Sequence, residues 1–188
     1  MIHPDFSDEL AGVNMEELDR SAHVVYGLRP DLSVGMVNNG WYKAGGDLAP
    51  AVVPVGSIVE PLPKGLRSYY RKLYDRVLRE QAVVEHEYLC PTPTHYRRFN
   101  MVCSPLVTGI LVVHQLMERR QHRLKPHPPN EAIYRNDDGL VMICSHCRQV
   151  QLPDDPSAEW HWVPDWVRAA PSDTTHGICD LCLETYYC

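Results

Sequence analysis

The chain has 188 residues, 44% of them hydrophobic, which suits one large domain or a medium domain with a small companion. It contains no apolar run of 18 residues, which excludes a membrane-spanning helix. Its first ten residues lack the basic and apolar regions of a signal peptide, so its seven cysteines are expected to be reduced thiols in a cytoplasmic protein. The net charge of −6 is uneven: residues 139–188 hold seven acids against only Arg148 and Arg168, a balance poorly suited to a phosphate backbone.

In chain order, Asn14 followed by Glu17 reads as the capping box of a first helix, with Leu18 and Ala22 on one face. Residues 22–28 and 32–38 read as two strands joined at Arg29-Pro30-Asp31, a hairpin. Residues 38–46 are too rich in Gly and Asn to predict regular structure, and residues 50–63 form an irregular connection with four prolines. From 64 to 81 the spacing predicts a long helix. Leu66, Tyr69, Tyr70, Leu73, Val77 and Leu78 form its apolar face, and Arg67, Arg71, Lys72, Arg76 and Arg79 lie on a solvated one. Three strands follow, at 83–90, 96–103 and 109–116, the second alternating so that Phe99, Met101 and Cys103 share a face. Five strands with one face covered by helices predict an α+β layer fold. Alternation and helical phase offer Trp41, Tyr69, Leu73, Phe99, Met101 and Val113 either as the lining of a ligand pocket or as plain core. The basic stretch 119–125, with Arg119, Arg120, Arg123 and Lys125, could serve a nucleic acid together with the basic face of the long helix.

Three prolines within Lys125–Asn130 forbid helix and central strand, which predicts a linker over 125–138 between residues 1–124 and a module at 139–188. That module carries Cys144-Ser-His-Cys147 and Cys179-Asp-Leu-Cys182. Each C-x-x-C bend sets two sulfurs on one side, and two bends supply the four thiolates of a closed zinc site. The 31 residues between the pairs exceed the common spacing of roughly 15–20, so an element must be inserted there. Two disulfides are the competing reading. His146 and His176 are alternative ligands that could replace a cysteine, and Cys188 reads as a free terminal thiol. Trp160, Trp162 and Trp166 are expected to form the module's core. Pro164 would open a short helix that turns Trp166 toward the metal. A closed site leaves no coordination position for substrate, so it marks a structural module rather than a reaction.

The order strand, strand, long helix, three-strand meander, with Asn38-Asn39 ending the second strand, resembles a PAS sensor domain over residues 14–118. Gly40-Trp41-Tyr42, Tyr69–Tyr74 and Glu85-His86-Glu87-Tyr88 are similar to phrases in PAS-like domains of bacterial regulatory proteins. The resemblance implies a five-stranded antiparallel sheet with a long helix, a small-molecule or protein ligand, and a homodimer formed through the N-terminal helix and outer sheet face. Met142–Cys147, Trp160-His161-Trp162 and His176-Gly-Ile-Cys-Asp-Leu-Cys-Leu183 resemble the cysteine-rich tail of some bacterial response regulators and PAS-containing signalling proteins. The tail implies a small zinc-ribbon-like appendage. No phosphate loop, dinucleotide fingerprint or nucleophile elbow occurs in the sequence. The expectation is a non-catalytic prokaryotic signalling protein acting through a protein partner, with a nucleic-acid-associated regulator as the alternative.

Overall fold

The structure, a computed structural model, describes residues 2–45, 56–62, 64–153 and 159–186. The chain forms two compact units, Met1–His86 with Asn100–Gln115, and Glu87–Phe99 with Leu116–Cys188. Helices α1 (Met15–Arg20), α2 (Asn39–Gly45) and α3 (Lys64–Glu80) accompany strands β1 (Val24–Leu28), β2 (Val34–Val37), β3 (Val84–Leu89), β4 (His95–Pro105) and β5 (Ile110–Gln121). The strands form one five-stranded antiparallel sheet in the order β2-β1-β5-β4-β3, so the fold is α+β. β3, β4 and β5 begin or end in the second unit, and the basic residues Arg119 and Arg120 lie near the end of strand β5.

In the first unit the sheet buries both faces, and the register says which side chain meets which layer. Val25 stands opposite Val113 and Tyr26 opposite Val112. Val25 joins Phe6, Leu10 and Met36 in a buried cluster against which Val113 and Leu111 pack. The next residue, Tyr26, points the other way, as period-2 alternation requires. There its hydroxyl lies 3.3 Å from that of Tyr74 on α3, and Tyr74 reaches the sulfur of Met101 at 3.8 Å. Leu73, Tyr74 and Val77 are the fully buried positions of α3, and Tyr74 is one the apolar pattern did not single out. On the opposite face of α3, Arg71 and Arg67 pair with Glu60 and Arg76 pairs with Glu80, a solvated surface as expected.

Asn14 caps α1 through a 3.2 Å bond from the Glu17 N–H, and the β1–β2 hairpin forms as expected. The prediction of irregular structure at residues 38–46 is corrected: Asn39–Gly45 is helix α2. Asn38, wholly buried, is the reason. Its Oδ1 accepts from the N–H groups of Val25 and Trp41 at 3.0 and 3.1 Å, and its Nδ2 donates to the carbonyls of Leu18 and His23 at 2.8 and 3.0 Å. One side chain thus caps α2 and ties it to β1 and α1. Gly40 is required by the same packing, since a Cβ there would lie 2.0 Å from the His23 carbonyl oxygen. Asn38→Ala removes the side-chain partner of the Val25 and Trp41 N–H groups and of the Leu18 and His23 carbonyls, and is expected to cost about 3 kcal/mol. Urea unfolding checks this, and a loss below about 1 kcal/mol would contradict the assigned role.

A second expected outcome concerns acid. His114 shares a 3.1 Å hydrogen bond with the Tyr26 hydroxyl, and its ring stacks on Tyr26 at 5.3 Å. Burial lowers its pKa to about 4. The unfolded chain therefore binds a proton near pH 6.5 that the folded chain refuses until about pH 4, so stability is lost as pH falls through that window. The loss attributable to His114 is about 3 kcal/mol. It is measured as the difference in acid sensitivity between the native protein and His114→Gln, which cancels all other titrations.

The second unit carries α4 (Glu131–Tyr134), β6 (Val141–Cys144), β7 (Val150–Gln151), β8 (Trp160–His161), α5 (Pro164–Arg168), β9 (Thr174–Gly177) and α6 (Asp180–Tyr186). Its own sheet runs β8-β7-β6-β9, with β6 and β9 parallel. Within residues 125–138, read from the sequence as a linker, Pro126 bridges to Trp162, and α4 sends Tyr134 into the core formed by Val141, Ile143, Val150, Val163 and Trp166. Cys188 lies outside the described residues, as do residues 50–55 and 63 of the proline-rich stretch between 50 and 63.

Candidate metal centre

Two features of local folding bring the cysteine pairs together. The first pair closes the β6–β7 hairpin: the Cys144 N–H donates to the Gln149 carbonyl at 2.8 Å and the Arg148 N–H to the Cys144 carbonyl at 3.0 Å. Arg148 takes the left-handed φ of 63° needed to turn the chain back after Cys147. The second pair opens α6, with the Leu183 N–H donating to the Cys179 carbonyl at 2.9 Å. Parallel pairing sets Cys144 beside Gly177, two residues ahead of Cys179, so the end of β6 and the start of α6 are neighbours. The 31-residue interval holds β7, β8, α5 and β9, the inserted element that the spacing called for.

The sulfurs of Cys144, Cys147, Cys179 and Cys182 all lie within 4.8 Å of one another, and Cys147 and Cys179 are 3.8 Å apart. Four sulfurs at 2.3 Å from a central ion stand about 3.8 Å apart along each tetrahedral edge, whereas a disulfide requires about 2.05 Å. The donor set and its spacing therefore fit a thiophilic divalent ion and not a pair of disulfides. Cys144, Cys179 and Cys182 are buried, with Cys147, Trp160, Ile178 and Tyr186 packed around them. The Cys179 N–H reaches the Cys144 sulfur at 3.5 Å, and the Gln149 amide donates to the Cys147 sulfur at 3.3 Å, bonds that favour thiolate. Without a cation the four thiols cannot ionise together. Hydrogen bonds from Cys147, Cys179 and Cys182 pull the Cys144 thiol far below its ordinary range, while the bond to Cys144 drives Cys147 and Cys182 up. A dication removes that conflict, which is the chemical sense of the cluster.

Neither histidine joins the cluster. His146 accepts from the Leu89 N–H at 3.4 Å and stacks on Tyr186 at 4.2 Å, and His176 sits on β9 opposite Ile143. The tryptophan reading needs correction. Trp166, at the first turn of α5, packs edge-on to Tyr134 at 5.3 Å in the apolar core, and Trp160 is the indole beside the cysteines. Trp162 instead stacks on His122 at 3.9 Å. Strand β8 ends at His161, so Trp162 falls outside the pairing that places Trp160 beside Gln151, and Trp166 is carried on α5.

The six residues offered as a ligand pocket do not gather. Leu73, on α3, and Met101, on β4, are buried, Tyr69 bonds to His86 Nδ1 at 3.0 Å, and Trp41 stands edge-on to Tyr26. Val113 faces the opposite layer, against the Phe6 cluster. Phe99 belongs to the second unit, stacked on Tyr88 at 5.5 Å. Of the remaining thiols, Cys90 is exposed, and burial pushes Cys103 up to about 12, far from a reactive thiolate.

No protein-family model matches the sequence, and no curated protein does. Among solved structures, the chain is similar to the PAS domain from Bordetella pertussis BvgS, with 17% sequence identity, a TM-score of 0.47, and coverage of 60% of this chain and 89% of that one. Fold and site together define the class: an α+β protein with a five-stranded antiparallel sheet and a small four-cysteine module.

Proposed function

We propose that this is a non-catalytic prokaryotic signalling or regulatory protein of the cytoplasm, in which a PAS-like sensing or interaction domain is coupled to a structural zinc module. The carrying observation is the tetrad of cysteines at tetrahedral spacing, already complete as a ligand set. Four thiolates around zinc leave no position for a substrate or an activated water, so the ion holds a fold and performs no reaction. The element order of the sheet unit and the sequence resemblance over residues 14–118 support the PAS-like reading. A protein partner, and pairing of two copies through the N-terminal helix, follow from that resemblance. No described helix is long and apolar enough to cross a membrane. The nucleic-acid reading is weakened by local pairing: Arg120 is bonded to Glu118, and α3 spends Arg67, Arg71 and Arg76 on Glu60 and Glu80.

Elemental analysis of the purified chain tests the centre. One zinc per chain is expected. Less than half an equivalent of metal, with disulfides in its place, would refute the reading.

A further inference from the structure

The second unit contains a cavity of about 340 Å³, at the small end of the roughly 300–1,000 Å³ typical of ligand sites. Its walls are apolar: Leu89, Pro91, Leu124 and Leu181, with the rings of Tyr96 and Tyr186. Leu124 and Leu181 are 44% and 69% exposed, large aliphatic groups left in water. The permanently charged groups of the lining are of one sign. Arg120 and Arg123 border the cavity, no carboxylate does, and this in the half of the chain whose last 50 residues are strongly acidic.

The two arginines differ in what they have left to give. The Arg120 guanidinium lies 4.0 Å over the Tyr96 ring and bonds to Glu118 at 2.8 Å, which fixes it as part of the wall. Arg123, exposed, makes no ion pair among the described residues. His122 is held against Trp162, its Nε2–H donates to the Thr92 carbonyl 3.0 Å away, and burial lowers its pKa, favouring the neutral ring. The site thus offers an apolar chamber with one uncommitted guanidinium at its rim. That is the complement of an apolar body ending in a single carboxylate.

The four-cysteine cluster borders the same cavity, since Cys147, Cys182 and Gln149, the donor to the Cys147 sulfur, are among its lining residues. We propose that this cavity binds a small amphipathic carboxylate, its apolar part against Leu89, Leu124 and Leu181 and its carboxylate on Arg123. A ligand packed against two metal ligands shields them, so its binding and metal retention are coupled. This coupling rests on the metal reading above, but the cavity's preference for a carboxylate does not.

The test is calorimetric titration of the full, zinc-loaded chain with decanoate and with decan-1-ol, the same body without the charge. Decanoate is expected to bind one to one, about tenfold tighter than the alcohol. Arg123→Gln should weaken decanoate about tenfold and leave the alcohol unchanged. Leu181→Glu, a surface change that sets a negative charge at the mouth, should weaken it independently. Decanoate should also slow zinc transfer to a chelator severalfold. No decanoate binding, equal affinity for the alcohol, or an Arg123→Gln variant that binds decanoate normally would overturn the proposal. Selective decanoate binding by a chain that elemental analysis finds without metal would sustain the carboxylate site and refute the zinc centre alone.

Discussion

Cys179→Ser is expected to unfold the four-cysteine module and leave the other unit folded. Structural zinc contributes roughly 10–16 kcal/mol in small metal-dependent modules, as much as the whole stability of an ordinary domain. On the zinc reading proposed above, little else in the module could take the ion's place. The module's apolar core is Tyr134, Val141, Ile143, Val150, Val163 and Trp166, and β7 and β8 are two residues each. A serine hydroxyl is a poor ligand for the ion, and the three thiolates left behind repel one another once it departs. Hydrogen exchange reads the result residue by residue. Protection should vanish across Val141–Cys144 and Thr174–Gly177 and also at α4, whose Tyr134 has its packing only in that core. It should survive at Val25, Met36 and Val112. Cys90→Ser, at an exposed thiol outside the cluster, is the control and should change nothing. Retained protection in β6 and β9 would show that the module does not depend on its cysteines. Loss extending through β1 and β2 would show that the two units unfold as one.

What the sequence made legible was what repeats at a short period. The apolar positions of α3 recur every three or four residues, and Phe99, Met101 and Cys103 alternate, so the helix and the meander could be read directly. The candidate metal ligands were legible because C-x-x-C is a local bend whose chemistry hardly depends on the rest of the chain. Illegible features were those decided across the fold. Helix α2 exists because Asn38 bonds to Val25, Leu18 and His23, contacts made only after the hairpin closes. Val113 and Met101 both look like core, but which layer each faces is set by pairing with Val25 on one side and by Tyr74 on the other. Trp160 and Trp166 exchange their expected places because two-residue strands carry no pattern from which register could be read.

Phe6 is the residue whose importance nothing nearby announces, and Phe6→Ala is expected to cost about 3–5 kcal/mol, the range for emptying a large aromatic site. It sits in a single 3-10 turn, Pro4–Phe6, yet only 1% of it is exposed. Its ring lies flat on two glycines of the hairpin: a Cβ on Gly27 would fall 2.3 Å from Phe6 Cε1, and one on Gly35 would fall 2.4 Å from Cδ2. The segment is held there at three further points. The His3 N–H donates to the Gly35 carbonyl at 2.9 Å, Asp5 pairs with Arg29 at 2.8 Å, and the Glu9 carboxylate accepts from the N–H groups of Thr108 and Gly109 at 2.8 and 3.1 Å. Because the ring fills the space that two side chains would otherwise occupy, the sites must be coupled. Gly35→Ala should be severely destabilising in the native protein, as the ring cannot yield between two strands, and much milder in a Phe6→Ala background, where the new methyl enters the vacated space. A double-mutant cycle followed by exchange at the β1 and β2 amides should give a coupling above about 1 kcal/mol. Additive losses would mean that the ring and the glycines are independent, and the layer built on Phe6 would not be what seals that face of the sheet.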